Sequence, residues 1–225
     1  MSGMLAKGLE QDGVVVVKSF FSRSDLQRLK NLAERAYAAV DNGAGDPQTQ
    51  QNVSGWGGLG LPFLSQVGAS ESSVAGIIAA IEKVAATTLG PCRLIRKISL
   101  FRRHVESRTH ITWHIDADAA GTSSYDPCFN VWLPLVAVGR DLPSLQFVRS
   151  SHRLMRTVPL LTANYARRTD EWIDEWFEPD LHLTAELDVG DAVIFDHYVL
   201  HRTQPMPCHK GIRISGEFRV TLNGR

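Results

Sequence analysis

Leu26, Leu29, Ala33, Ala36 and Val40 recur at helical spacing in SRSDLQRLKNLAERAYAAVD and predict a helix over 22–41 with one buried face. Ser24 followed by Gln27 fits a capping box at its start, and Asn42-Gly43 fits a stop. Ahead of it, GVVVVKSFFS (13–22) reads as a short buried strand and a turn. SSVAGIIAAIEKVAATTLG (72–90) predicts a second helix ending at Gly90-Pro91. Between the two helices, residues 43–70 hold seven glycines with little periodicity and read as a long loop, either a lid or a connector. From residue 93 the pattern changes. Strand candidates fall at 93–103, 110–116, 127–136, 144–149, 183–188, 191–199 and 212–222, most of them separated by Gly121, Gly139, Pro143, Gly190, Pro205 and Pro207. The stretch 161–178 reads as a helical insertion whose Trp172 and Trp176 face the core. Two helices followed by a run of short strands predict an α+β fold with a mainly β core, a sandwich or a barrel.

The chain has 225 residues, enough for one well-cored domain over 1–225. With 44% hydrophobic and 21% charged residues it is not a disordered chain. The formal net charge is zero, which lacks the basic surplus of a nucleic-acid binder. One local exception, RLIRKISLFRRH (93–104), is either a solvated strand face or an attraction for a small anion. Cys92, Cys128 and Cys208 are far apart and form no CxxC, which suits a reducing setting. There is no apolar run of the ~18 residues a membrane helix needs, and MSGMLAKGLEQDG lacks the apolar centre of a signal peptide. A soluble, cytoplasmic protein with a small-molecule partner is expected.

Candidate chemistry begins in RTHITWHIDAD (108–118). His110 and His114 are four apart, as in helical zinc motifs, but the intervening Ile-Thr-Trp favours a strand and no Glu follows His110. On a strand, His114 and Asp116 project to one side and Ile115 to the other. Asp118 shares that side and rivals Asp116. In LDVGDAVIFDHYVLHRTQPMP (187–207) a turn launches an apolar strand that ends at His201, and His197 is the alternative four residues earlier. Two imidazoles and one carboxylate form the facial triad of non-haem Fe(II) oxygenases, with positions left open for oxygen and a cosubstrate. No thiolate lies nearby to favour structural zinc. Twelve residues on, Arg213 in GIRISGEFRV could hold a dicarboxylate by a two-pronged contact. Arg219 has the same strand parity and competes for that role, with Ser215 and Glu217 between them.

In order, GVVVVKSFFS with its helix, WHID, FNVWLPL, SLQFVRSSHR, VGDAVIFDHYVLHRT and IRISGEF resemble the phytanoyl-CoA dioxygenase family of Fe(II)/2-oxoglutarate-dependent oxygenases, over about residues 13–220. One departure is Arg149-Ser150, where the family's turn carries Pro-Gly. The resemblance implies a double-stranded β-helix (jelly roll) flanked by helices. It implies that His114, Asp116 and His201 ligate Fe(II), and that Arg213 with Thr203 holds the far carboxylate of 2-oxoglutarate. Trp132 and Asn130 would line the same pocket, and Arg102 or Arg103 would fall near a basic position. The implied reaction uses O2, releases succinate and CO2, and hydroxylates or otherwise oxidises a C–H bond of a small, possibly anionic, substrate. In related halogenases Gly or Ala replaces the carboxylate ligand, so Asp116 favours hydroxylation or desaturation. Two other readings remain: a cupin-like metalloenzyme that does not use 2-oxoglutarate, and a jelly-roll binding module without turnover.

Overall fold

The computed structural model describes residues 3–60, 63–64, 71–104, 111–117, 127–157, 167–206 and 211–222. It opens with α1 (Gly3–Asp12), β1 (Val14–Val17) and α2 (Arg23–Asp41). The apolar stripe of α2 is buried as its spacing predicts: Leu26, Leu29, Ala33, Ala36 and Val40, joined by Leu32 and Tyr37. Its cap is Ser22 rather than Ser24. Ser22 is extended (φ −68°, ψ 143°) and accepts from the Asp25 amide, whereas Ser24 already lies within the helix. The glycine-rich 43–70 segment is more structured than expected. Asp46 caps α3 (Pro47–Trp56), accepting from the Thr49 amide at 2.7 Å, and Gly57 closes the helix at φ 71° before β2 (Gly58–Gly60). The second predicted helix is α4 (Glu71–Leu89).

The strands make two antiparallel sheets. The larger contains β3 (Cys92–Arg103), β4 (Cys128–Pro134), β7 (Ala192–Asp196) and β9 (Arg213–Leu222), in the order β1-β7-β4-β9-β3-β2. The smaller is β6-β5-β8, formed by His182–Thr184, Leu145–Val148 and His201–Thr203. A bridge between His114 and His201 adds the 113–114 segment beside β8. This α+β arrangement, with helices backing one of two facing sheets, is the double-stranded β-helix. Three apolar clusters hold it. Leu26, Leu29 and Tyr37 pack on Val131, Ile194 and Phe218 of the larger sheet. Trp132, Val193 and Phe195 meet Leu145 and Phe147 between the sheets. Trp113, Ile115, Ala117, Val148, Ile173 and Leu200 pack behind the smaller sheet.

Some expected elements shorten. The 191–199 strand is cut after Asp196, whose Oδ1 accepts from the Tyr198 amide at 2.8 Å and turns the chain before β8. Residues 105–110 lie outside the described residues, and within 111–116 bridges form at Trp113 and His114 alone. The insertion at 161–178 contains α6 (Asp170–Trp176), capped by Thr169, and its residues 161–166 lie outside the described ones. Ile173 is its buried anchor. Trp176 does not face the core: it is 54% exposed and stacks on Trp172 with ring centroids 5.6 Å apart. The short helix α5 (Ser151–Met155) precedes it. Among the described residues no helix is long and apolar enough to cross a membrane.

Candidate metal and cosubstrate site

Strand alternation works at 113–117 as the sequence pattern requires. Trp113, Ile115 and Ala117 enter the cluster behind the smaller sheet, and His114 and Asp116 turn inward. His114 and His201 are held side by side by a reciprocal pair of backbone hydrogen bonds, each 3.0 Å. One donor atom from each of His114, Asp116 and His201 lies within 4.8 Å of the others. The Nε2 atoms of His114 and His201 are each 3.7 Å from an oxygen of Asp116. Each Nδ1 faces a backbone carbonyl, Thr112 at 2.8 Å and Val199 at 3.0 Å. A carbonyl only accepts, so Nδ1 carries the proton and the Nε2 lone pair faces the centre. Burial, with His201 adding, drives the His114 pKa down to about 4 against the pull of Asp116. Burial also lowers that of His201, again against Asp116. Two neutral imidazoles and a carboxylate, with no thiolate in the cluster among the described residues, are a donor set that suits Fe(II).

Asp116 is braced from the larger sheet. Asn130 Nδ2 on β4 donates to Asp116 Oδ2 at 2.8 Å, and Arg219 Nη2 on β9 lies 3.1 Å from the same oxygen. Arg219 Nε also donates to Glu217 at 3.2 Å. Burial opposes the Arg219 charge, but Asp116 and Glu217 outweigh it and raise the pKa. Arg213 is placed differently. Its guanidinium is 5.5 Å from the Trp132 ring, and among the described residues it makes one long hydrogen bond, 3.4 Å, to the Pro143 carbonyl. It is 2% exposed, and its Nε has no hydrogen-bond partner among the described residues. Burial, with the Arg103 charge adding and Tyr37 opposing, drives its pKa down to about 9. A buried guanidinium in this state is set up to receive an anion.

The phytanoyl-CoA dioxygenase family model matches residues 9–208. The chain belongs to that family. Solved structures of similar fold include the epimerase SnoN in complex with Fe3+, alpha ketoglutarate and nogalamycin RO, at 18% identity and a TM-score of 0.68, covering 97% of this chain and 82% of that one. EvdMO1 gives 16% identity and a TM-score of 0.70 over 99% of this chain and 50% of that one. HygX from Streptomyces hygroscopicus, with nickel and 2-oxoglutarate bound, gives 16% identity and 0.64 over 99% and 88%. No curated protein matches the sequence.

Within this phytanoyl-CoA dioxygenase family chain, the rivals to the triad separate. His197 sits in the turn after β7 and its carbonyl accepts from the Asp116 amide, outside the donor cluster. Asp118 and His110 lie outside the described residues. Thr203 is buried two residues beyond His201 on β8. Arg102 turns outward to a two-pronged pairing with Asp41, both contacts 2.7 Å, and stacks on Tyr37. Arg103 turns inward, is 3% exposed and stands directly opposite Arg213. The bracing of Asp116 by Arg219 and Asn130 is what sequence reading missed. Inward parity of both residues was legible, but their register across adjacent strands is fixed by the sheet and not by either strand's own pattern.

Proposed function

We propose that the protein is an Fe(II)- and 2-oxoglutarate-dependent oxygenase that hydroxylates, or otherwise oxidises, an unactivated C–H bond of a small molecule. The observation that carries this reading is Arg213: a buried cation lacking a carboxylate partner among the described residues, in the same interior as the donor triangle. His114, Asp116 and His201 would hold the ion. Arg213, with Thr203 and the inward Arg103, would hold the far carboxylate of 2-oxoglutarate, and Trp132 would wall the same space. When bound, iron with 2-oxoglutarate and O2 supplies the oxidising power, with release of succinate and CO2. The chain's own part is to position and to exclude water. Phe195 and Phe147 pack beside His201, with centroids at 4.7 and 6.0 Å, and shield that side of the centre. Structures of this fold include an epimerase, a carbocyclase and a monooxygenase. On this reading placement of the substrate carbon would decide the outcome, and the Asp116 carboxylate, where related halogenases carry Gly or Ala, favours hydroxylation or another oxidation over halogenation.

Succinate release against a panel of small molecules, with Fe(II) and ascorbate, tests the proposal. His114→Ala is expected to abolish substrate-dependent succinate, and near-full activity in that variant would overturn the assignment. Arg213→Ala is expected to raise the KM for 2-oxoglutarate by roughly 10–100-fold, as loss of a charge-assisted pair of about 1.5–3 kcal/mol requires. Turnover indifferent to that change and to 2-oxoglutarate itself would identify a metalloenzyme of another kind.

A further inference from the structure

Trp113 stands one residue before His114, and Arg202 one residue after His201. Alternation sends the histidines inward and these two neighbours to the back of the smaller sheet. There the Arg202 guanidinium lies over the Trp113 ring, 4.4 Å from its centroid. A single oxygen, Asp170 Oδ1, accepts from both: Trp113 Nε1 at 2.7 Å, and Arg202 Nη1. Arg202 Nε donates to Gln146 Oε1 at 2.8 Å, and Gln146 Nε2 donates to Thr184 Oγ1 at 3.0 Å. Asp170 is the first residue of α6. Just ahead of it the Arg168 amide donates to the Trp113 carbonyl at 2.9 Å. The start of α6 is thus tied to both histidine-bearing segments by groups outside the donor triangle.

An Asp–Arg pair at the surface is by itself worth little, and the Asp170 side chain is 63% exposed. Here the oxygen also takes a neutral indole N–H, and its two donors are chain neighbours of the two imidazoles. We propose that Asp170 is a positioning residue for the metal centre: holding Trp113 and Arg202 from one oxygen, it sets the spacing of His114 and His201 and couples docking of α6 to metal binding. This rests on the metal reading above. The coupling is reciprocal. An ion that draws the two Nε2 atoms to bonding distance steadies the clamp, and release of the clamp weakens the ion.

The test uses the full chain and Co(II), a stand-in for Fe(II) with its own absorption, and reads affinity and amide exchange rather than turnover. Asp170→Ala is expected to raise the Co(II) Kd about tenfold, the lower end for partners that orient metal-bound histidines. Asp170→Asn, which keeps an acceptor oxygen, should lose less, and Trp113→Phe should fall between. Trp176→Phe, on the same helix but outside the clamp, should lose nothing. In the wild type, Co(II) should slow exchange at 170–176, and in Asp170→Ala it should not. Wild-type Co(II) affinity in both Asp170→Ala and Trp113→Phe, or exchange at 170–176 in the unaltered chain that ignores Co(II), overturns the proposal. Should Asp170→Ala fail to fold, Trp113→Phe decides, since it removes the N–H donor and keeps an aromatic ring beneath Arg202. An unaltered chain that does not bind Co(II) sinks the metal reading and this inference with it.

Discussion

Arg219 is enclosed by carboxylates, with Asp116 at 3.1 Å and Glu217 at 3.2 Å. Replacing it by Met would leave two buried carboxylates without the cation between them. Breaking a buried pair in this way costs about 3–5 kcal/mol. Arg219→Met should therefore lower the melting temperature sharply, and the gap to wild type should narrow when Co(II) is added, because the ion restores positive charge beside Asp116. A gap unchanged by Co(II) would place the loss elsewhere. Single residues also show where the sequence stopped being informative. Alternation puts His114 and Asp116 on one side but gives Asp118 the same side, and the spacing of the later strand left His197 beside His201. Arg213 and Arg219 have the same parity on one strand, so alternation cannot rank them. Only the neighbours on adjacent strands, Arg103 opposite one and Asn130 opposite the other, separate their roles.

Elements with their own periodicity were legible, and elements defined by a partner were not. The stripe of α2 is written in its apolar spacing. Its cap is a matter of backbone angles two residues earlier, and Ser22→Ala is expected to cost about 1 kcal/mol, or about 2–4 °C in Tm for a chain of this size. Ser24→Ala should cost far less, and equal losses in the two variants would contradict the assigned cap. α3 escaped notice because, among its described side chains, Val53 is the apolar one packed on the core, too little for a stripe, although Asp46-Pro47 marks a start. β8 has three residues and the 113–114 segment has two bridges. Such pieces are strands only through the backbone beside them. That is why the 191–199 run looked like one strand until the Asp196 side chain turned it.

Across the whole molecule, the triangle of donors stands on one layer and is braced from the other. The histidines belong to the smaller sheet and the segment bridged to it, and the braces on Asp116 come from β4 and β9 of the larger sheet. Binding that favours only the folded chain raises its stability by about 2.7 kcal/mol at a hundred times Kd. Co(II) with 2-oxoglutarate should thus lift Tm by roughly 5–10 °C, and His114→Ala should cancel the shift. A lift that survives in His114→Ala would mean that the ion binds elsewhere. An ion at that seam acts as a rivet through two plates. On the proposed reading, shortage of iron would then strike the enzyme twice: it halts turnover, and it lets the plates part often enough for proteases to shorten the lifetime of the chain.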